Sequence, residues 1–239
     1  MKLIIDTPEK IAQMAAQRYA ALLKEKPEAV LGFATGSTPL GLYAELARLN
    51  AAGAISFKQA TTFNLDEYIG LADMHDQSYR YFMNTNLFER IDIPMERTHL
   101  PSGLQAEGQD MAAYDRMIEK AGGIDLQLLG IGHNGHIGFN EPGTPFGSMT
   151  HKAKLTPSTL EANARFFDTI DEVPKYAVTM GIKTVMNARA ILMITLGSAK
   201  APIVKAALQG PVTEEVPASV LQLHPELVWY ADHDAAALL

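Results

Sequence analysis

The chain has 239 residues, 47% of them hydrophobic and 20% charged, with a formal net charge of −7 and no cysteine. That length supports a buried core without staples; the acidic balance excludes gripping duplex nucleic acid through a basic stripe, and the missing cysteine excludes disulfides, thiolate nucleophiles and thiolate metal sites. The apolar run in residues 1–6 is too short for a signal peptide, and no later segment approaches the ~20 apolar residues of a membrane span, so a cytoplasmic protein without a membrane partner is expected.

Short apolar runs alternate with longer amphipathic stretches, a pattern that puts a mostly parallel sheet between layers of helices. Residues 3–5 read as a strand, and Thr7-Pro8-Glu9 supplies an N-cap, a first-turn proline and an early acid for a helix to about residue 24. A second strand over 29–34 is followed by a helix from Thr38-Pro39 to about 49, and 61–64 is a third strand. Helical periodicity returns at 77–88 and 107–121; Gly122-Gly123 stops the latter before a buried strand at 124–129. Residues 130–157 read as irregular, and a loop of that length has the composition of a functional one. Further strands fit 176–180, 190–196 and 227–231, with a helix at 198–209 closed by Gly210-Pro211. No repeat or linker interrupts the pattern, so one domain spanning 1–239 is predicted.

Three junctions carry candidate chemistry. Thr35-Gly36-Ser37-Thr38-Pro39 lies between strand and helix, where free N–H groups and a helix dipole can cradle a phosphate; no Gly-Lys-Ser/Thr follows, so it is not a nucleotide triphosphate loop. In Asn64-Leu65-Asp66-Glu67-Tyr68, extended backbone puts Asp66 and Glu67 on opposite faces, so only one of the two acids can enter a given site. In the stretch from Gly130 to Pro142, Gly130, Gly132 and Gly135 satisfy G-x-G-x-x-G after a strand, but Pro142-Gly143 blocks the helix that a dinucleotide site needs. There the glycines instead allow His136 and Glu141 into one pocket, an imidazole beside a carboxylate that orients it. Zinc held by His133, His136 and Glu141 is the rival chemistry, without the helical spacing of such sites. Downstream, Arg165 offers a two-pronged phosphate contact and Lys200 a cation in the first turn of a helix. No G-x-S-x-G elbow occurs.

Taken in order, Thr35 to Pro39, Phe63-Asn64-Leu65-Asp66-Glu67-Tyr68, Gly135-His136-Ile137-Gly138-Phe139-Asn140-Glu141-Pro142, Arg165-Phe166-Phe167, Val173-Pro174-Lys175-Tyr176, Leu196-Gly197-Ser198-Ala199-Lys200 and Leu221-Gln222-Leu223-His224-Pro225 resemble the glucosamine-6-phosphate deaminase (isomerase) family along nearly the whole chain. The resemblance implies a three-layer α/β/α fold with a modified Rossmann-like sheet, no redox cofactor and no metal, and conversion of glucosamine 6-phosphate and water to fructose 6-phosphate and ammonia. It implies further that His136 opens the sugar ring with Asn134 and Glu141 in support. Asp66 is then the base that carries the proton from C2 to C1 through an enolamine, and Gly36, Ser37, Thr38, Arg165 and Lys200 hold the phosphate.

Two departures stand out. Many members carry Asp where this chain has Asn134, which can orient His136 but cannot stabilise an imidazolium by charge. Hexameric, allosterically activated members have basic residues after the Glu-Pro turn and a longer tail. Here the region reads Ser148-Met149-Thr150-His151-Lys152-Ala153 and the chain stops at Leu239, so a monomer is favoured over a homo-oligomer. A galactosamine-6-phosphate deaminase, a 6-phosphogluconolactonase and a non-catalytic sugar-phosphate sensor are the alternatives. The lactonases lack the Phe-Asn-Glu-Pro continuation and the Asn-x-Asp-Glu-Tyr stretch.

Overall fold

Local chemistry sets the first unit. Strand β1 (Lys2–Ile5) leads to helix α1 (Pro8–Glu25), where the Thr7 hydroxyl accepts from the Lys10 N–H and Pro8 fills a position whose missing donor is not needed. The structure is a computed structural model that describes residues 1–104, 110–164, 167 and 169–239, without the side chains of 162 and 163. The chain continues through β2 (Val30–Phe33), α2 (Leu40–Ala51), β3 (Thr61–Asn64), β4 (Asp66–Tyr68), α3 (Tyr79–Asn86), β5 (Thr98–His99), α4 (Ala112–Lys120) and β6 (Leu126–Leu129). It then forms β7 (His151–Lys154), α5 (Pro157–Asn163), β8 (Tyr176–Thr179), α6 (Ile182–Met186), β9 (Ile191–Thr195), α7 (Ala201–Gln209) and β10 (Leu227–Ala231).

Seven strands make one sheet in the order β1-β10-β9-β6-β2-β3-β5, with every pairing parallel. Its central strands β2, β6 and β9 are buried along their whole length, which is why they read as mostly apolar runs, broken only by Gln127 in β6 and Thr195 at the end of β9. Register shows the layers: Phe33 pairs with Asn64 and Gly32 with Phe63, so Phe33 and Phe63 face opposite sides. Tyr19 of α1 stacks on Phe33 at 5.5 Å and Tyr43 of α2 meets it edge-on at 5.6 Å, whereas Tyr114 of α4 meets Phe63 at 5.7 Å. Helices therefore cover both faces of a mostly parallel sheet, the α/β/α arrangement the resemblance implied. No helix of the described residues is long and apolar enough to cross a membrane.

The structure adds a feature and moves some boundaries. β4, β8 and β7 form a separate antiparallel sheet, so strand 176–180 does not join the parallel one. Residues 130–157, expected to be irregular, contain β7; its His-Lys-Ala-Lys sequence buries only Ala153, and pairing with β8 makes it a strand. The second helix begins at Leu40, after a turn at Thr38-Pro39, and the stretch expected to be helical over 198–209 opens as a 3-10 turn at Ser198–Lys200. Of the helix expected over 107–121, α4 covers 112–120, and residues 107–109 lie outside the described residues.

Candidate active site

The strand order reverses between β2 and β6, since β2 leads outward to β3 while β6 leads the other way to β9. Such a reversal leaves a crevice at the carboxyl ends of the strands, where open α/β sheets bind ligands. A cleft of about 540 Å³ lies there, its walls made by segments that follow β2, β3, β6 and β9. Gly36, Ser37, Thr38, Asp66, Asn134, His136 and Lys200 all line it. Glu141 stands behind Asn134 and His136 rather than in the wall, and Arg165 lies outside the described residues.

The small sheet determines how Asp66 meets the histidine loop. β4 continues directly from β3 and pairs with β8, Asp66 opposite Thr179. Thr179 Oγ1 in turn accepts the Phe139 N–H at 3.0 Å, and Asn140 Nδ2 donates to the carbonyls of Ile137 and Met180, both at 2.8 Å. Residues 137–140 are thus stitched to the strand that carries Asp66's partner. The turn needs Gly138, whose φ is +58°: a Cβ there would sit 2.8 Å from Thr179 Oγ1 and 3.4 Å from Asp66 Oδ2.

Asp66 is buried, and burial pushes its carboxyl up to about 8, with the neighbouring Glu67 charge adding to the shift. Around it stand Tyr68, Tyr79, Phe139 and Phe167: Tyr68 lies 4.7 Å from Tyr79, 5.6 Å from Phe139 and 6.1 Å from Phe167. Hydrogen bonds link the Tyr79 side chain to Tyr68 and to Thr35, at the root of the turn after β2. Asp66 itself is 6% exposed.

His136 rests against the backbone of Gly132, where a Cβ would fall 2.3 Å from the imidazole. Its Nδ1 lies 3.4 Å from Glu141 Oε2. Asn134 binds both partners: Oδ1 accepts the His136 backbone N–H at 3.2 Å, and Nδ2 donates to Glu141 Oε2 at 2.5 Å. Glu141 Oε1 accepts from Thr159 Oγ1 at 2.5 Å. Burial alone would raise the Glu141 carboxyl, but the neighbouring His136 imidazole and the hydrogen bonds from Thr159 and Asn134 hold it down at about 2. Glu141 is a carboxylate at any ordinary pH. Among the described residues no group of three His, Cys, Asp or Glu side chains is placed to hold a metal, so the donor set His133, His136 and Glu141 is not assembled.

At the other end, Tyr43 donates to the Ala34 carbonyl and fixes the root of the Gly36-Ser37-Thr38 turn. Lys200 Nζ donates to the Ile131 carbonyl at 2.6 Å, which holds the ammonium at the cleft wall. The preceding Gly197 N–H binds both Asp232 carboxylate oxygens, at 3.0 and 2.9 Å. Thr159, Tyr79 and Asp232 went unnoticed in the sequence. Each lies in a common context, a helix start or a strand end, and only long-range contacts single it out.

Comparison with known proteins fits this geometry. A family model described as glucosamine-6-phosphate isomerases/6-phosphogluconolactonase matches residues 6–229. A glucosamine-6-phosphate deaminase of Clostridium perfringens is 51% identical over 242 residues, covering 100% of both chains. One of Hahella chejuensis is 50% identical over 237 residues, covering 99% of this chain and 91% of that one. Among solved structures, a monomeric glucosamine-6-phosphate deaminase superposes with a TM-score of 0.97 at 45% identity over 100% of each chain. A 6-phosphogluconolactonase of Thermotoga maritima, 20% identical, gives 0.75 over 96% of this chain and 97% of its own, a likeness of fold alone.

Proposed function

The chain belongs to the family of glucosamine-6-phosphate isomerases and 6-phosphogluconolactonases, and from that membership we propose that it converts glucosamine 6-phosphate and water to fructose 6-phosphate and ammonia. The observation that carries this choice is the pairing, in one cleft, of a buried strand-end carboxylate, Asp66, with an imidazole backed by a carboxylate, His136 and Glu141. Hydrolysis of a lactone needs an activated water; a deaminating isomerisation needs a ring-opening acid/base and a separate carbon base.

The division of labour follows from the chemistry of the groups. The Gly36-Ser37-Thr38 turn, Lys200 and Arg165 take the phosphate, so a chain of net charge −7 holds an anion by local positive potential. His136 moves the proton that opens the ring, with Glu141 as a fixed anion behind it and Asn134 holding the two in register. Asp66 removes the proton from C2 of the open aldose and returns it to C1. The enolamine between these steps becomes a ketimine at C2, to which water adds and from which ammonia leaves. A carboxylate raised to about 8 is a stronger carbon base, once ionised, than one of ordinary pKa.

The proposal extends to one catalytic domain acting as a cytoplasmic monomer. Support for the monomer is the state of the solved relative described as monomeric, and light scattering on the purified chain tests it. The activity is tested by quantifying ammonia and fructose 6-phosphate together from glucosamine 6-phosphate, with and without a chelator. Equal amounts of both, unaffected by chelator, are expected. Turnover of galactosamine 6-phosphate or 6-phosphogluconolactone in preference, or ligand-induced thermal stabilisation without product, overturns the proposal in favour of the epimer enzyme, a lactonase or a sensor.

A further inference from the structure

We infer that Thr159 is a positioning residue for this reaction: its hydroxyl fixes the Glu141 carboxylate so that Oε2 faces His136 and Asn134. The inference rests on the proposed function, and it assigns to Thr159, which also lines the cleft, the work of holding Glu141.

Glu141 has a flexible stem, and the direction of its carboxylate decides whether it can orient His136. Oε2 is taken by Asn134 Nδ2 at 2.5 Å and lies 3.4 Å from His136 Nδ1. Oε1 receives the Thr159 hydroxyl at 2.5 Å, so the carboxylate is held from both ends. A hydroxyl can turn its single proton elsewhere, but here a second contact directs it. Thr156 Oγ1 donates to Thr159 Oγ1 at 3.1 Å, occupying an acceptor site of Thr159 and leaving its own proton for Glu141.

The backbone beneath is equally fixed. Thr156 is the N-cap of α5, its hydroxyl accepting the Thr159 N–H at 3.4 Å, and Pro157 fills the first turn. Thr159 is 4% exposed, so little water competes for the bond. The chain Thr156, Thr159, Glu141, His136 thereby ties the start of α5 to the ring-opening pair. If α5 shifts, the carboxylate shifts with it.

The test uses full-length Thr159→Val, Thr159→Ala and Thr159→Ser proteins, each checked for folding by its melting curve, with steady-state kinetics on glucosamine 6-phosphate. The Val and Ala variants should lose about tenfold in kcat, since a displaced orienting group slows the proton step, with KM within about twofold of the parent. Thr159→Ser, which differs from Thr159→Ala by the hydroxyl alone, should recover kcat to within about threefold of the parent. In a Glu141→Gln background the Thr159→Val change should cost less than about twofold further, because a residue acting through Glu141 has nothing left to position.

Parental kcat in Thr159→Val or Thr159→Ala, a Ser variant as slow as the Ala one, a loss in KM alone, or an undiminished loss in the Glu141→Gln background each overturns the inference. Should Thr159→Val fail to fold, the Ala and Ser pair decides it. A parent protein that yields no ammonia or fructose 6-phosphate in the same assay overturns the proposed function instead, which keeps the two failures apart.

Discussion

Asp66 and Glu67 are adjacent in the chain and buried alike, yet they do unrelated work on opposite faces of β4. Asp66 lines the cleft, while Glu67 accepts the N–H groups of Tyr79 and Arg80, both at 2.9 Å, at the start of α3. Period-two geometry separates them, and the difference in partners separates their charges. Burial raises both carboxyls, but on Glu67 the N–H groups of Tyr79, Arg80 and Tyr68 offset part of that rise, whereas among the described residues no such donor set meets Asp66, whose carboxyl burial pushes up to about 8.

This elevation sets a pH dependence. Below about 8 the free protein holds a proton on Asp66, and a protonated carboxyl cannot act as a carbon base. We predict that kcat/KM for glucosamine 6-phosphate rises with pH to a plateau near that value, falling about tenfold per unit on the acid side. A substrate ammonium beside the carboxylate favours its charged form, so the corresponding limb of kcat should lie at lower pH. A pH–rate series with both parameters resolved checks this, and a kcat/KM flat from pH 6 to 9 contradicts it.

The same carboxyl is a stability liability. Unfolded, Asp66 loses its proton near the ordinary aspartate value of about 3.9, whereas folded it keeps the proton up to about 8. The folded state therefore binds the extra proton between those values. What that proton contributes is whole below about pH 4 and is lost as pH rises towards 8. Asp66→Asn removes the titration, so its Tm should exceed the parent's by on the order of 5 °C at pH 8 and by almost nothing at pH 4. Melting curves at the two pH values measure the difference.

Asn134 gives a second electrostatic test. Its Nδ2 donates to Glu141 Oε2 at 2.5 Å, a bond that an aspartate cannot make. In Asn134→Asp two carboxylates share the site, and the added negative charge makes the cluster hold protons more tightly. The variant should stay active, and because Asp66 faces the same cleft, the acid limb of its kcat profile should move up by about one unit. An unchanged profile contradicts this coupling between position 134 and Asp66.

Lys200, whose ammonium is held at the cleft wall by the Ile131 carbonyl, is assigned to the phosphate. An interaction common to ground and transition states shows in KM, so Lys200→Ala should raise KM at least about tenfold and change kcat by less than about threefold. Steady-state kinetics decide it. A lower kcat with unchanged KM assigns the lysine to the chemistry instead.

Much of this was legible in the sequence because the parallel sheet writes itself as apolar runs, and because the turns after β2 and β6 carry residues whose chemistry is distinctive. The separation of Asp66 from Glu67 followed from strand geometry alone. The small antiparallel sheet was not legible. β4 is three residues long, two of them acidic, and β7 alternates Ala153 with lysines, so neither looks like a buried strand until β8 lies beside it. Thr159 reads as an ordinary first-turn residue of α5; its partner, Glu141, lies 18 positions away, and no local pattern links them. Lys200, which the sequence puts in the first turn of a helix, stands in a 3-10 turn before α7, bound to a carbonyl.

If Asp66 carries the C2 proton, turnover of glucosamine 6-phosphate by Asp66→Asn shows it most directly. Asparagine keeps the shape and polarity of the side chain and removes its basicity. In that variant kcat should fall by about 10³-fold or more while addition of the sugar phosphate still raises Tm as in the parent, because the phosphate contacts survive. Turnover within about tenfold of the parent, with binding intact, contradicts the assignment of Asp66 as the base.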